Sequence, residues 1–388
     1  MIHRRKFLLK GSAFAASAPA IVRASSLLPA LAATDGWTQG GGDIYPTVPS
    51  LRLKPGREFA VNSWVHTRLA PDGPLDPNSA TIVANFNRIL RETATVTAME
   101  NGGPPIYIAP PNQPTCRIKV TGTTEKDLWL QTKMNDVPIP TPDTFTRQEC
   151  PEGVVCDHEA VIYQPSTGRY YEFVGMDPTG GTTVDSAGRT VKEWQTVWGG
   201  RMGGPGDANV LSTNPGWWER EQSYSQGNMA TAIPILGLWI TIGDIVQNAI
   251  NHPIHILIPQ PLATVRVWSQ PPAQRTDGLS GLDYSVAEGT VFRLPADINL
   301  DDYPYLVPYV DGRKNNWRLA AEAMRDYGLC IADTGGFCSI LAENPHTPQY
   351  PVDPYIAFER DGWWFPWLDL NYFPWDRLQT LPQHLVSG

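Results

Sequence analysis

The residues best suited to chemistry lie in one stretch. Asp157-His158-Glu159-Ala160-Val161-Ile162-Tyr163 is followed, after Gln164-Pro165-Ser166-Thr167-Gly168-Arg169, by Tyr170-Tyr171-Glu172-Phe173. The Pro-Ser-Thr-Gly turn predicts a hairpin. Strand side chains alternate, so pairing Tyr163 with Tyr170 fixes both faces. Asp157, Glu159, Val161 and Tyr163 then share a face with Tyr170 and Glu172. Ala160, Ile162, Tyr171 and Phe173 share the other, more apolar face, expected against the core. Three carboxylates and two phenols on one sheet face suit glycoside cleavage, in which one carboxyl donates a proton and a nucleophile sits about 5 Å away. Crowded carboxylates raise one another's pKa, as a general acid near neutral pH requires. The expected roles are Glu159 and Glu172 as acid/base and nucleophile, with Asp157 tuning their pKa. The plainer reading is the wet face of an exposed sheet, with Glu172 paired to Arg169 or Lys192.

The chain has seven histidines. His252 and His255, in Ile250-Asn251-His252-Pro253-Ile254-His255, point to opposite faces of a strand, which weakens a shared metal site with His158 and Glu159. His252 is expected either to move a proton in a cleft or to be a buried, hydrogen-bonded structural residue. We assign it to the catalytic group with Asp157, Glu159 and Glu172, and expect no metal and no cofactor. Trp194, Trp198, Trp217 and Trp218 stand in or near Gly-rich loops. With Tyr163 and Tyr170 they are the expected sugar-binding surfaces, core packing being the alternative. The chain has no Gly-x-Ser-x-Gly elbow and no nucleotide-binding glycine pattern between a strand and a helix.

The elements that must position these groups are short. Strands are expected at Phe59 to Val65, Ile106 to Ile108, Cys116 to Val120, Leu128 to Leu130, Trp194 to Trp198, Ile254 to Ile258 and Tyr284 to Arg293. A helix from about Asn78 to Glu92, with Asp76 as its cap, follows from the spacing of Ile82, Val83, Phe86, Ile89 and Leu90. Thr241 and Asp244 read as a capping box, and Asn316 to Tyr327 as an amphipathic helix stopped by Gly328. Leu329 to Leu341 reads as a second hairpin. With 37 Pro, 34 Gly and 14 Trp in 388 residues, and no βαβ alternation, the expected fold is mainly β: an antiparallel β-sandwich or jelly roll with two or three peripheral helices.

Arg4-Arg5, an apolar stretch to Val22 and Ala30-Leu31-Ala32 have the order of a removable export signal of the twin-arginine type. Residues 1–33 are therefore expected to be the signal, 34–50 a loose arm, and 51–388 a single large β-rich domain working in the periplasm or outside the cell. A net charge of −9 excludes an electrostatic pull toward nucleic acid or an anionic membrane, and no later segment is apolar enough to span a bilayer. A monomer acting on a polysaccharide or another glycan is expected. Of five cysteines, Cys150 with Cys156, and Cys330 with Cys338, are the expected disulfides, leaving Cys116.

Gly73 to Ser79, Val161 to Thr167 with Glu172-Phe173, Trp198-Gly199-Gly200, Ile250-Asn251-His252, Phe292-Arg293-Leu294 and Ala321 to Asp333 resemble a family of secreted, β-rich bacterial proteins. The resemblance implies a jelly-roll or lectin/glucanase-like fold and supplies no activity. In that family the hairpin often opens Asp-x-His, and here Glu159 stands where that histidine would be. His252 matches the family's Ile-x-His pattern. The expected function is a secreted carbohydrate-active protein cleaving a polysaccharide by carboxylate chemistry. A lectin-like or cell-envelope binder, a polysaccharide lyase and a metalloenzyme are the alternatives.

Overall fold

The computed structural model describes residues 59, 63–93, 95–99, 103–149, 156–202, 227–268, 273, 275–308, 312–348, 350, 353–355, 373–382 and 385–387. All lie in one compact unit, Val48–Gly388. The signal, the arm, Trp217, Trp218 and Cys150 lie outside the described residues.

The hairpin is present as expected. Strands β4 (Ala160–Gln164) and β5 (Arg169–Val174) pair antiparallel with Tyr163 opposite Tyr170. β2 (Ile106–Ile108) joins β4 in parallel, and β8 (Trp198–Met202) joins β5, giving a four-stranded sheet β2-β4-β5-β8. Both of its faces are buried. Val161, Tyr163 and Tyr170 enter one apolar cluster with Ile235, Trp239 and Ala332. Ala160, Ile162, Tyr171 and Phe173 enter another with Trp129, Phe145 and Trp194. The carboxylate face is thus an interior layer rather than an open concave surface, and the expectation of a wet face is overturned.

The second main sheet has six strands. β1 (Thr95–Met99), β9 (Ile254–Pro259), β12 (Val291–Arg293), β13 (Leu329–Gly335), β14 (Cys338–Leu341) and β15 (Gln379–Thr380) run in the order β1-β14-β9-β13-β12-β15. Two three-stranded sheets complete the strand set. One joins β10 (Ala263–Trp268), β11 (Val286–Glu288) and β16 (Leu385–Ser387). The other joins β3 (Lys119–Val120), β6 (Asp177–Val184) and β7 (Thr190–Thr196).

This architecture corrects the jelly-roll expectation. β1 with β14, β2 with β4, β3 with β7, β10 with β11, and β9 with β13 are all parallel pairs, so the sheets are mixed. Parallel neighbours need long crossovers, and in short strands these leave no regular alternation in the sequence. The expected second hairpin fails for the same reason. β13 and β14 flank β9 on opposite sides instead of pairing with each other. Cys330 and Cys338 are accordingly separated by a strand, and both are buried and outside any disulfide, as is Cys116. Cys156 is disulfide-bonded, and its expected partner Cys150 lies outside the described residues.

Helix α1 (Ser79–Glu92) buries Val83, Phe86 and Ile89, and Phe86 stacks on Phe292 of β12 at 4.6 Å. Its N-cap is Asn78 rather than Asp76, whose Oδ1 accepts the Asn78 N–H at 2.8 Å. The segment Leu128 to Leu130, expected as a strand, is helical: α2 (Glu125–Lys133) is started by a Thr124–Asp127 capping box, and that reciprocal cap outweighs a three-residue apolar run. The Thr241–Asp244 box begins the short helix α3 (Ile242–Val246) as expected. α4 (Asn316–Asp326) ends before Gly328, whose φ of +108° only glycine takes freely. Phe59 makes a single bridge and Ser63 to His66 is a turn, so no strand runs to Val65. The expected strand Trp194 to Trp198 is split at Val197 between β7 and β8, in two different sheets.

Candidate functional site

Glu172 is fully buried in β5. A buried carboxylate persists only when its oxygens are satisfied, and here two donors come from one loop and a third from β5 itself. Asn228 N–H donates to Oε2 at 2.6 Å, Ile235 N–H donates to Oε1, and the Tyr170 hydroxyl also donates to Oε1. The loop is shaped by Gly227, at φ +99°, where a Cβ would come within 3.3 Å of Glu172 Oε2. Arg275 fastens it by donating to the carbonyls of Gly227, Met229 and Ala230 at 2.8 to 3.0 Å.

Glu159 stands immediately before β4 and is half-buried. Its Oε1 accepts from the Asn228 side-chain amide at 3.1 Å, so one asparagine holds both hairpin glutamates, through its backbone and its side chain. Burial, reinforced by Asp157, Asp333 and Glu172, pushes the Glu159 carboxyl well above its ordinary range, against the Asn228 hydrogen bond. Burial likewise pushes Glu172 up to about 7, opposed by its three donors and Arg275. Asp157 is exposed. Glu159 and Glu172 therefore meet through Asn228, but Glu172 is sealed, with both oxygens occupied. It is not placed to attack a substrate as the expected nucleophile.

A second acidic group adjoins this one and has no local mark in the sequence. Asp333 on β13, Glu288 on β11 and Asp277 in the preceding loop bring carboxylate oxygens within 4.8 Å of one another. Asp333 acts electrostatically on both Glu288 and Glu159, so the two acidic groups adjoin. Burial, then Asp277 and Asp333, raise Glu288 to about 8. Asp333-Thr334-Gly335-Gly336 reads as a turn in the sequence, and residues 277, 288 and 333 share no spacing pattern that would link them.

The other expected site residues lie elsewhere. His252 is fully buried; its Nε2 faces Asp244 Oδ2 at 3.1 Å and its Nδ1 faces the Pro253 carbonyl at 2.7 Å. Burial pulls its pKa down, yet Asp244 and the carbonyl hold it above its ordinary value. Two acceptors facing one buried ring fit a structural role for His252. It lies in a bend two residues before β9. His255 is buried too. It accepts from Leu341 N–H, faces the Leu238 carbonyl and stacks on Trp239 at 3.7 Å. His158 pairs with Asp177 at 3.0 Å. The histidines do not converge with Glu159.

Trp194 is buried, donates to the Pro142 carbonyl at 3.0 Å and meets Phe145 edge-on. Trp198 is buried, donates to the Gly227 carbonyl at 3.1 Å and lies under the Lys126 ammonium at 3.7 Å. Tyr163 and Tyr170 are buried as well. These four are core and site-supporting residues, not open sugar platforms. Arg169 and Arg201 both turn to Asp136.

No protein family, no curated protein and no solved structure matches this chain. Among the described residues no helix is long and apolar enough to cross a membrane.

Proposed function

We propose that this protein is an exported enzyme that hydrolyses glycosidic bonds, with Glu159 as proton donor and Asp157 as its partner carboxylate. The observation that supports the reading is the position of Glu159: half-buried, one oxygen held by the Asn228 amide, and exposed Asp157 two residues before it. In the reaction the Glu159 proton passes to the glycosidic oxygen as its bond to the anomeric carbon breaks. Asp157 takes a proton from the water whose oxygen bonds to that carbon. Glu172 is a positioning residue, acting through Asn228.

The substrate class is a neutral or amino-sugar polysaccharide. Asp157, Glu159, Glu172 and Asp333 surround the site with acid, which repels uronates. Arg169, Arg201 and Arg275 are turned toward Asp136 or backbone carbonyls, and this counts against a β-elimination lyase, which must neutralise a uronate.

The test is release of reducing ends from neutral, amino-sugar and uronate polysaccharides by the mature protein. Glu159→Gln and Asp157→Asn should each lower the rate by about a hundredfold or more while leaving retention on a polysaccharide column intact. Wild-type protein that is retained but releases no reducing ends would overturn the hydrolase in favour of a non-catalytic binder.

A further inference from the structure

The group formed by Asp277, Glu288 and Asp333 is not needed for the proton transfers above. Its three carboxylates come from the loop before β11, from β11 and from β13, yet their oxygens gather within 4.8 Å of one another. Glu288 is fully buried at their centre. Its Oε2 accepts from Asp277 N–H at 3.1 Å and from the Thr276 hydroxyl. Its Oε1 has no hydrogen-bond partner among the described residues. The charged groups that act on Glu288 are Asp277 and Asp333, both acidic. A buried carboxyl group with one oxygen unpartnered, clustered with two more carboxyl groups, is a cost to the fold that a cation among the three would remove.

We propose that Asp277, Glu288 and Asp333 bind a calcium ion. The donors are all carboxylate oxygens, which selects a hard cation and disfavours zinc or copper. Calcium holds oxygens at about 2.3–2.6 Å, so oxygens on its opposite sides stand up to about 5 Å apart, which contains the spread seen here. Magnesium demands a stricter octahedron and dehydrates reluctantly, so a cage of protein carboxylates suits it less. The ion ties the 275–277 segment to β11 and β13. Arg275 of that segment clasps the loop holding Glu172, so the calcium site braces the same loop from behind. The inference stands on these residues alone and does not rest on the hydrolase reading.

The experiment is a calorimetric titration of the mature protein, stripped with a chelator, with calcium chloride up to about 5 mM, above the ~1 mM range of weak extracellular sites. One ion per chain should bind, and thermal unfolding should move upward with calcium. Asp277→Asn, at a half-buried position, and Glu288→Gln should each weaken binding by at least about tenfold. Glu159→Gln, in contrast, should keep a calcium affinity close to that of wild type, which separates this site from the proposed hydrolase. Magnesium should bind at least about tenfold more weakly. No saturable calcium binding by wild type, unchanged binding by Asp277→Asn, or tighter binding of magnesium would each overturn the assignment. The wild-type titration decides the matter even where Glu288→Gln fails to fold.

Discussion

At the scale of single residues, Asn228 links the two hairpin glutamates. Its backbone N–H satisfies Glu172 and its side-chain amide lowers the pKa of Glu159. Asn228→Ala keeps the first contact and removes the second, together with the amide's bond to the Phe173 carbonyl at 2.7 Å, so the Glu159 carboxyl should titrate higher. The alkaline limb of kcat/KM, which reports loss of the acid form, should then move to higher pH. A variant with normal folding and an unmoved profile would separate Glu159 from the proton transfer. Glu172 is a different case. Truncation to alanine leaves the Asn228 and Ile235 N–H groups and the Tyr170 hydroxyl without their buried acceptor. Each orphan costs about 1–3 kcal/mol, so Glu172→Ala should lose about 3 kcal/mol or more in urea denaturation. A loss under about 1 kcal/mol would mean that the loop readily finds other acceptors.

At the scale of elements, the sequence was most readable where its signals were local. The period-two alternation on either side of Pro165-Ser166-Thr167-Gly168 fixed the Tyr163–Tyr170 register. The heptad-like apolar spacing fixed α1 and α4, and Thr241 with Asp244 fixed the start of α3. Non-local pairings were not readable. Nothing near Leu329 shows that β9, some seventy residues earlier in the chain, will lie between β13 and β14, so the Gly335-Gly336 turn suggested a hairpin and a Cys330–Cys338 bridge that the topology forbids. The carboxylates split in the same way. Asp157, Glu159 and Glu172 are neighbours through one hairpin, whereas Asp277, Glu288 and Asp333 meet only through tertiary folding. Burial was also misjudged, because a polar strand face looks alike whether water or a satisfying loop covers it. The strand contact that holds Glu172 in place depends on Gly199, where a Cβ would stand 2.1 Å from the Glu172 carbonyl oxygen. Gly199→Ala must push β8 away from β5. It should cost about 1–3 kcal/mol, read as a lower unfolding midpoint; wild-type stability in this variant would show that the two strands are not so closely apposed.

At the scale of the whole molecule, buried titrating groups set how stability follows pH. Burial pushes both Glu172 and Glu343 up to about 7. A carboxyl raised in this way gives stability that is complete below its unfolded pKa near 4.5 and is lost as pH rises through about 7. His252, held above its ordinary 6.5, acts in the same direction, giving stability below 6.5 that fades as pH rises through its folded value. His66 and His255, which burial lowers to about 4 and about 3, have the opposite sign, but their effect is complete by 6.5. Between pH 6.5 and 8 these shifts therefore point one way, and the denaturant midpoint should fall. An equal or higher midpoint at pH 8 would contradict the burial of these groups.

The central claim concerns Glu159, and the most direct measurement is the rate of reducing-end release from neutral and amino-sugar polysaccharides by wild type and by Glu159→Gln, side by side, with both shown to be folded. The expected result is turnover by wild type and a loss of about a hundredfold or more in the variant. Equal rates in the two proteins, or no release by wild type from any of these polymers, would contradict it.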